Sequence, residues 1–330
     1  MEPSLVTGGS GFIGSHLVAA LVERGEHVRI LDTALPRDLL PNVTFLHGSV
    51  LDQETVARAC DGVRQVFHLA ATAQLWHRDP SVFDAVNHGG TRTVLAAAAK
   101  AGVRRFVHCS TESVLNGREP VDDDSNPRIE TMAGPYCRSK YLAEREALAA
   151  ARRMPVVIVN PTAPIGPGDH TPTPPTAMLR LFLNGGPRLI LNCNLNLVDV
   201  RDVAGGMILA AERGAVGERY ILGGNNLTLS DLAHRIDRLA GRRCRRRWPI
   251  PGRLALAAAM LEEWMSDHIT HRPPRAPATG VRLAIAAGFV DSTKAMRELG
   301  YHPRSLDNAL ADAVAWLMRT EPLPASQPSS

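Results

Sequence analysis

The chain has 330 residues, 45% hydrophobic and 21% charged, which is enough apolar material for a substantial core and too much for a disordered chain. A formal net charge of +4 without a basic motif interleaved with aromatics argues against nucleic acid as a partner, and five scattered cysteines without a C-x-x-C pair predict free thiols and no metal site. No apolar run approaches the roughly 20 residues that span a bilayer, and the strand-like Ser4-Leu5-Val6-Thr7 begins too early for a cleavable leader, so a cytoplasmic protein is expected.

Short β-branched runs alternate with helical patterns through the first half, as in βαβ units around a buried parallel sheet. Strands are predicted near Leu5, Val28 to Leu31, Val43 to Leu46, Gln65 to Leu69, Arg105 to His108 and Val156 to Val159. Between them, Ser15 to Arg24, Glu54 to Cys60, Gly90 to Ala101 and Arg138 to Arg152 place apolar residues three and four apart, the spacing of amphipathic helices. Beyond Asn160, the prolines Pro161, Pro164, Pro167, Pro172, Pro174 and Pro175 exclude continuous helix or central strand and predict an irregular segment over the active site. Arg219 to Leu222 is expected to return to the sheet as a strand, while Leu229 to Ala240 and Leu306 to Met318 form helices of a smaller lobe. The tail from Glu321, rich in Pro and Ser, is expected to be loose. The predicted architecture is therefore α/β. A Rossmann-type doubly wound parallel sheet spans 1–160, with a later strand at 219–222 and adjoining helices, and a smaller C-terminal α/β substrate lobe covers 161–320.

Gly8-Gly9-Ser10-Gly11-Phe12-Ile13-Gly14 falls between the first strand and the first helix. Glycines there allow a tight turn and close approach of a pyrophosphate, which the free N–H groups and dipole of a helix start attract. Asp32 ends the second strand, where a carboxylate accepts from the adenosine ribose hydroxyls, favouring NAD over NADP; Arg37 nearby slightly weakens that preference. The bland alternative is a Gly-rich turn and an incidental Asp, against which the order of strand, turn and helix argues.

Tyr136 and Lys140 lie four apart at the start of a predicted helix, so both project from one face. A phenol near the Lys140 ammonium and a cationic nicotinamide is expected to have a lowered pKa, suiting it to acid/base work on a hydroxyl or carbonyl, and Lys140 can also hold the nicotinamide ribose. Alone, such a pair reads as ordinary surface. Ser110-Thr111, at the end of the preceding strand, offers a hydroxyl at the carboxyl edge of the sheet, and Thr111 is taken as the third member.

The glycine turn, Asp32, His68-Leu69-Ala70-Ala71, Asn87 through Gly90-Thr91, Ser110-Thr111 and Tyr136 through Lys140 together resemble the extended short-chain dehydrogenase/reductases, the NAD-dependent epimerase/dehydratase family, over nearly the whole chain. Within that class, Leu75-Trp76 through Asp79-Pro80, Val159 through Pro167 and Arg219 through Gly224 are similar to the hopanoid-associated sugar epimerases. The resemblance implies Thr111, Tyr136 and Lys140 as catalytic residues. It implies that Gly8, Ser10, Gly11, Phe12, Ile13, Gly14, Asp32, Ser49, Val50, Leu69, Ala70, Ala71, Asn87, Tyr136, Lys140 and Pro161 surround NAD. Tyr136 would take the hydroxyl proton as hydride leaves the substrate carbon; hydride returning to the opposite face of the ketone inverts the centre, which is epimerisation. Asn87 can equally cap a helix, and His68 reads better as a satisfied buried histidine.

Departures from the pattern bear on the substrate. Related dehydratases carry two acids after the catalytic Thr, whereas here Glu112 is followed by Ser113, which demotes elimination; read blandly, Glu112 is a solvated loop acid. Nucleotide-sugar epimerases place an arginine where this chain has Asn194-Leu195-Asn196, so a substrate diphosphate loses a cation unless Arg201, Arg180 or Arg188 substitutes. Arg242, Arg243, Arg245, Arg246 and Arg247 read first as a solvated loop edge; if the substrate is a sugar or polyol on a membrane lipid, they are expected on anionic headgroups instead. The leading reading is an NAD-dependent epimerase or dehydrogenase of a sugar-like or polyol substrate. Its rivals are a carbonyl reductase of the dihydroflavonol-reductase type and a non-catalytic NAD-binding regulator, which would have no use for Thr111, Tyr136 and Lys140 together. The helices at Gly90 to Ala101 and Arg138 to Arg152 are expected to pair two copies into a homodimer.

Overall fold

The computed structural model describes residues 2–117 and 119–320, so the tail expected to be loose lies outside the described residues. Its strands are β1 (Ser4–Thr7), β2 (Val28–Asp32), β3 (Val43–His47), β4 (Gln65–His68), β5 (Arg105–Cys109), β6 (Val156–Pro161), β7 (Ala163–Ile165), β8 (Leu189–Leu191), β9 (Asn194–Asp199), β10 (Arg219–Leu222), β11 (Asn225–Thr228) and β12 (Trp248–Ile250). Its helices are α1 (Phe12–Glu23), α2 (Gln53–Cys60), α3 (Ser81–Phe83), α4 (Gly90–Ala101), α5 (Pro135–Ala150), α6 (Pro174–Leu183), α7 (Val200–Arg213), α8 (Leu229–Leu239), α9 (Gly252–Met265), α10 (Ala278–Ala286), α11 (Thr293–Leu299) and α12 (Leu306–Thr320). Among the described residues no helix is long and apolar enough to cross a membrane.

Seven strands form one parallel sheet in the order β10-β6-β5-β4-β1-β2-β3. Successive residues of each strand feed opposite layers, as the period of two requires. Leu5, Val66, Phe106, Val156 and Ile158 pack with α2 and α4 on one face. Val6, Phe67, Val107, Val157 and Val159 pack with α1 and α7 on the other. Each such fully buried side chain is worth about 1.5–3 kcal/mol over its exposed state. The chain leaves β1 towards β2 and β3, then returns to place β4 on the other side of β1. The crevice between β1 and β4 at their carboxyl ends is thus a topological switch point, where open α/β sheets bind ligands.

The proline-rich segment is more regular than its composition predicts. Pro161 closes β6 opposite Leu222, beyond the point where β5 ends against Val159, so its missing N–H costs no ladder bond on that side. Ala163–Ile165 forms β7, and Pro174 and Pro175 open α6, the helical position that tolerates proline. A small sheet, β11-β9-β7, packs under α6, α8 and α12 through Ile165, Leu179, Leu197, Leu232 and Leu310.

The arginine run forms the solvated edge its charge predicts only in part. Asp237 of α8 is fully buried, and a buried carboxylate needs partners. Arg247 Nη1 donates to it at 2.8 Å, Arg245 N at 3.2 Å and Arg242 Nη2 at 3.5 Å, while Arg242 also donates to the Phe182 and Leu183 carbonyls. Arg242 and Arg247 therefore turn their side chains inward, while Arg245 lends only its backbone N–H and stays exposed with Arg243 and Arg246.

Candidate active site

The turn after β1 is compressed as only glycine allows. Gly8 adopts φ +73°, and a Cβ there would meet Ala70 N at 2.7 Å; one at Gly14 would stand 2.1 Å from Gly8 O. This contact brings the ends of β1 and β4 together at the switch point. The helix α1 begins at Phe12, three residues before the predicted Ser15, with Gly11 as N-cap and no side chain capping its first N–H groups. Ser10 Oγ is buried without a partner. Asp32 accepts from Ser10 N and Ala34 N, each at 3.0 Å, and a carboxylate has acceptor capacity beyond these two.

These groups border a cavity of about 610 Å³. Gly8, Ser10, Gly11, Phe12, Ile13, Gly14 and Asp32 line it, as do Ser49 and Val50 after β3, Leu69 to Ala71 after β4, and Pro161. Arg37 is exposed and does not line it. The uncapped helix start suits a pyrophosphate and Asp32 suits ribose hydroxyls, so the residues present fit an adenine dinucleotide without a 2′-phosphate.

Thr111, Glu112 and Tyr136 line the same cavity. Thr111 caps a 3₁₀ turn (Glu112–Val114); its Oγ1 accepts from Ser113 N at 3.3 Å and donates to Glu112 Oε2 at 3.1 Å. The Thr111 side chain lies near the Tyr136 phenol, and Phe83 meets the Tyr136 ring edge-on with centroids 6.4 Å apart. Lys140, one turn further along α5, is buried and donates from Nζ to Cys109 O at 2.6 Å; burial lowers its pKa.

The protein's own groups do not supply the lowering of the Tyr136 pKa expected beside Lys140 and a cationic nicotinamide. Burial, with the neighbouring Cys137 and Glu112 adding to it, raises the phenol, and the nearby Thr111 hydroxyl opposes only part of this. The Lys140 ammonium is engaged by the Cys109 carbonyl. Nor is Glu112 a solvated loop acid: burial pushes it up to about 7, against hydrogen bonds from Thr111 and Ser113 N.

Two residues tied to the site by sequence stand behind its wall. Asn87 is buried in a π-helical turn (Asp84–Gly89), accepts from Thr72 N at 2.7 Å and donates to Thr72 O at 3.1 Å and Ser139 Oγ at 2.9 Å, so it caps no helix and pins the segment after β4 to α5. His68 is satisfied by Thr7 Oγ1 at 2.7 Å and Thr91 Oγ1 at 2.9 Å, and burial holds its pKa down at about 3. Sequence reasoning missed Leu283 of α10 on the cavity wall, because an apolar helical residue reads as core.

Among the described residues that line the cavity there is no Lys or Arg. Arg201 is held by Asp199 at 2.6 Å and Asp312 at 2.5 Å, and neither Arg180 nor Arg188 borders the cavity. Asn196 is occupied within the small sheet, with Oδ1 accepting from Thr162 Oγ1 and Gly224 N and Nδ2 donating to Asn226.

The sequence profile described as "NAD dependent epimerase/dehydratase family" matches residues 4–223. A protein of Synechocystis sp. provisionally named as a dihydroflavonol 4-reductase is 38% identical over 322 residues, 94% of this chain and 93% of its own. Sterol demethylase protein B of Methylococcus capsulatus is 33% identical, over 95% of this chain and 97% of its own. The crystal structure of gox2253 superposes with a TM-score of 0.84 at 34% identity, covering 98% of this chain and all of that one. The chain belongs to the NAD dependent epimerase/dehydratase family, enzymes of the extended short-chain dehydrogenase/reductase type.

Proposed function

We propose that the protein uses NAD to interconvert a secondary alcohol and a ketone on a substrate that joins a hydroxyl-bearing, sugar- or polyol-like part to an apolar body. The observation that carries this reading is one cavity taking in the Gly8 to Gly14 turn, Asp32, Thr111 and Tyr136, with no cation among its lining residues to meet a substrate diphosphate. The similarity to a protein named for a sterol supports an apolar body, and a hopanoid-linked polyol, which the sequence resemblance implies, has both parts.

NAD, when bound, supplies the hydride acceptor and donor. The start of α1 would receive its phosphates and Asp32 its adenosine ribose, with Ser49, Val50, Leu69, Ala70, Ala71 and Pro161 walling it in. Tyr136 would take the proton from the substrate hydroxyl, or return it to the carbonyl oxygen, with the Thr111 hydroxyl beside the phenol. Lys140 holds a buried positive charge on α5 at Cys109 O, and Asn87 positions the wall at Thr72. Glu112, poised near neutrality, would exchange protons with the Thr111 hydroxyl.

Epimerisation requires the ketone and the reduced cofactor to stay bound between two hydride transfers; a reductase exchanges its cofactor at each turnover. The similarity to the Synechocystis protein favours the second cycle. Denaturing the purified protein and quantifying released NAD and NADH separates them: near-stoichiometric release favours the epimerase, and an empty protein that binds NAD favours the reductase. A protein that neither retains nor binds NAD overturns both, and turnover of UDP-glucose but of no hydroxysteroid or lipid-linked polyol overturns the substrate class. A homodimer through α4 and α5 belongs to this reading, and a purely monomeric species by light scattering would remove it.

A further inference from the structure

The helix α9 is inverted for a helix on a protein surface. Leu254, Leu261, Trp264 and Met265 recur at the spacing of one helical face, and that face is outward: they are 65%, 61%, 52% and 41% exposed. The acids of α9 are half-buried and held by the following segment, Glu262 Oε1 accepting from Arg275 N at 2.9 Å and Glu263 Oε2 from Ala278 N at 2.8 Å at the start of α10. Ile269, in the π-helical turn that continues α9 (Ser266–Thr270), is 60% exposed. A contiguous apolar face of this kind marks an interaction surface.

Charge identifies the occupant. Residues 241–285 hold nine arginines and three acids, a formal +6 against +4 for the whole chain. With the Arg242 and Arg247 side chains engaged by Asp237, the exposed Arg243, Arg245, Arg246, Arg253 and Arg272 flank the apolar residues of α9 and its turn along the chain. Arg246 stacks over the exposed Trp248 ring at 4.1 Å, an amphipathic pair of the kind found at headgroup depth. A second copy docked by the same face would bring together two segments of formal charge +6 each, whereas lipid phosphates neutralise such a segment.

We propose that α9 and the turn after it dock on an anionic lipid bilayer, the apolar face entering the headgroup boundary and the flanking arginines meeting lipid phosphates. α9 packs on α10, which contributes Leu283 to the active-site cavity, so α10 joins the docked helix to the cavity wall. The proposal stands on this surface and not on the redox reading, and its test involves no turnover.

The test is flotation of the full chain with vesicles of phosphatidylcholine alone or mixed with phosphatidylglycerol, alongside light scattering without lipid. The wild type is expected to float with the anionic vesicles and to be released by salt. The Leu261→Glu/Trp264→Glu pair is expected to lose at least about tenfold in partitioning, since each apolar side chain returned to water is worth such a factor. Arg246→Ser and Arg253→Ser should each lose about fivefold. All four side chains are exposed, and matching circular dichroism and NAD binding will show that the fold is kept. A wild type that stays in the dense fraction with both vesicles overturns the proposal, as does a double variant that floats like the wild type. A wild-type dimer that the same double substitution dissolves also overturns it, because the occupant is then a second copy.

Discussion

The Thr111 hydroxyl donates to the Glu112 carboxylate across 3.1 Å, on the cavity wall that also holds Tyr136. Glu112 is raised from an ordinary 4.5 to about 7, so the folded protein holds its proton where the unfolded chain has lost it. Stability therefore falls as pH rises through that window, because the native state binds more protons than the unfolded state. Glu112→Gln removes this loss, and the melting temperature of the variant should gain on the wild type from pH 4.5 to 7. Parallel curves would rule the assignment out. Because the Glu112 charge also raises the Tyr136 phenol, oxidation by the variant should reach its alkaline plateau at a lower pH.

Tyr136→Phe deletes the hydroxyl that the proposed chemistry moves its proton through. We expect kcat to fall by about a hundredfold to ten-thousandfold with NAD binding unchanged, as read by calorimetry and initial rates. Retention of more than about a tenth of the wild-type kcat would remove Tyr136 from the acid/base role.

Asp32 ties the glycine turn through Ser10 N and keeps acceptor capacity for a ribose. Asp32→Ser should weaken NAD by about tenfold, the loss of one to two charge-assisted hydrogen bonds, while improving NADP relative to NAD. An unchanged cofactor ratio would show that Asp32 serves the turn alone.

Arg247 and Asp237 are both buried, so truncating the arginine removes the carboxylate's shortest donor and leaves it only Arg245 N at 3.2 Å and Arg242 Nη2 at 3.5 Å. Arg247→Ala should destabilise by about 3 kcal/mol or more, against about 0.5 kcal/mol or less for the exposed Arg243→Ala. Similar denaturation midpoints for the two variants would contradict the buried pair.

Local periodicity and turn chemistry already placed the parallel sheet, because a strand buried on both faces must be apolar at every position and the glycine turn must follow the first of them. Gly8 to Gly14, Asp32, Thr111 and Tyr136 were legible for the same reason: each sits at a strand end or helix start that the chain itself announces. Folding alone decided what depends on partners distant in sequence. Asp237 draws the Arg242 and Arg247 side chains inward, although the run as a whole reads as solvent edge. Pro161 enters the sheet because β5 has already ended beside it. Burial raises the Tyr136 phenol and makes Glu112 a near-neutral acid, since desolvation depends on walls assembled from β4, β5, α5 and α10. The outward apolar face of α9 was equally hidden, because a helical stripe states its spacing in sequence while only the packing of its neighbours states which way it faces.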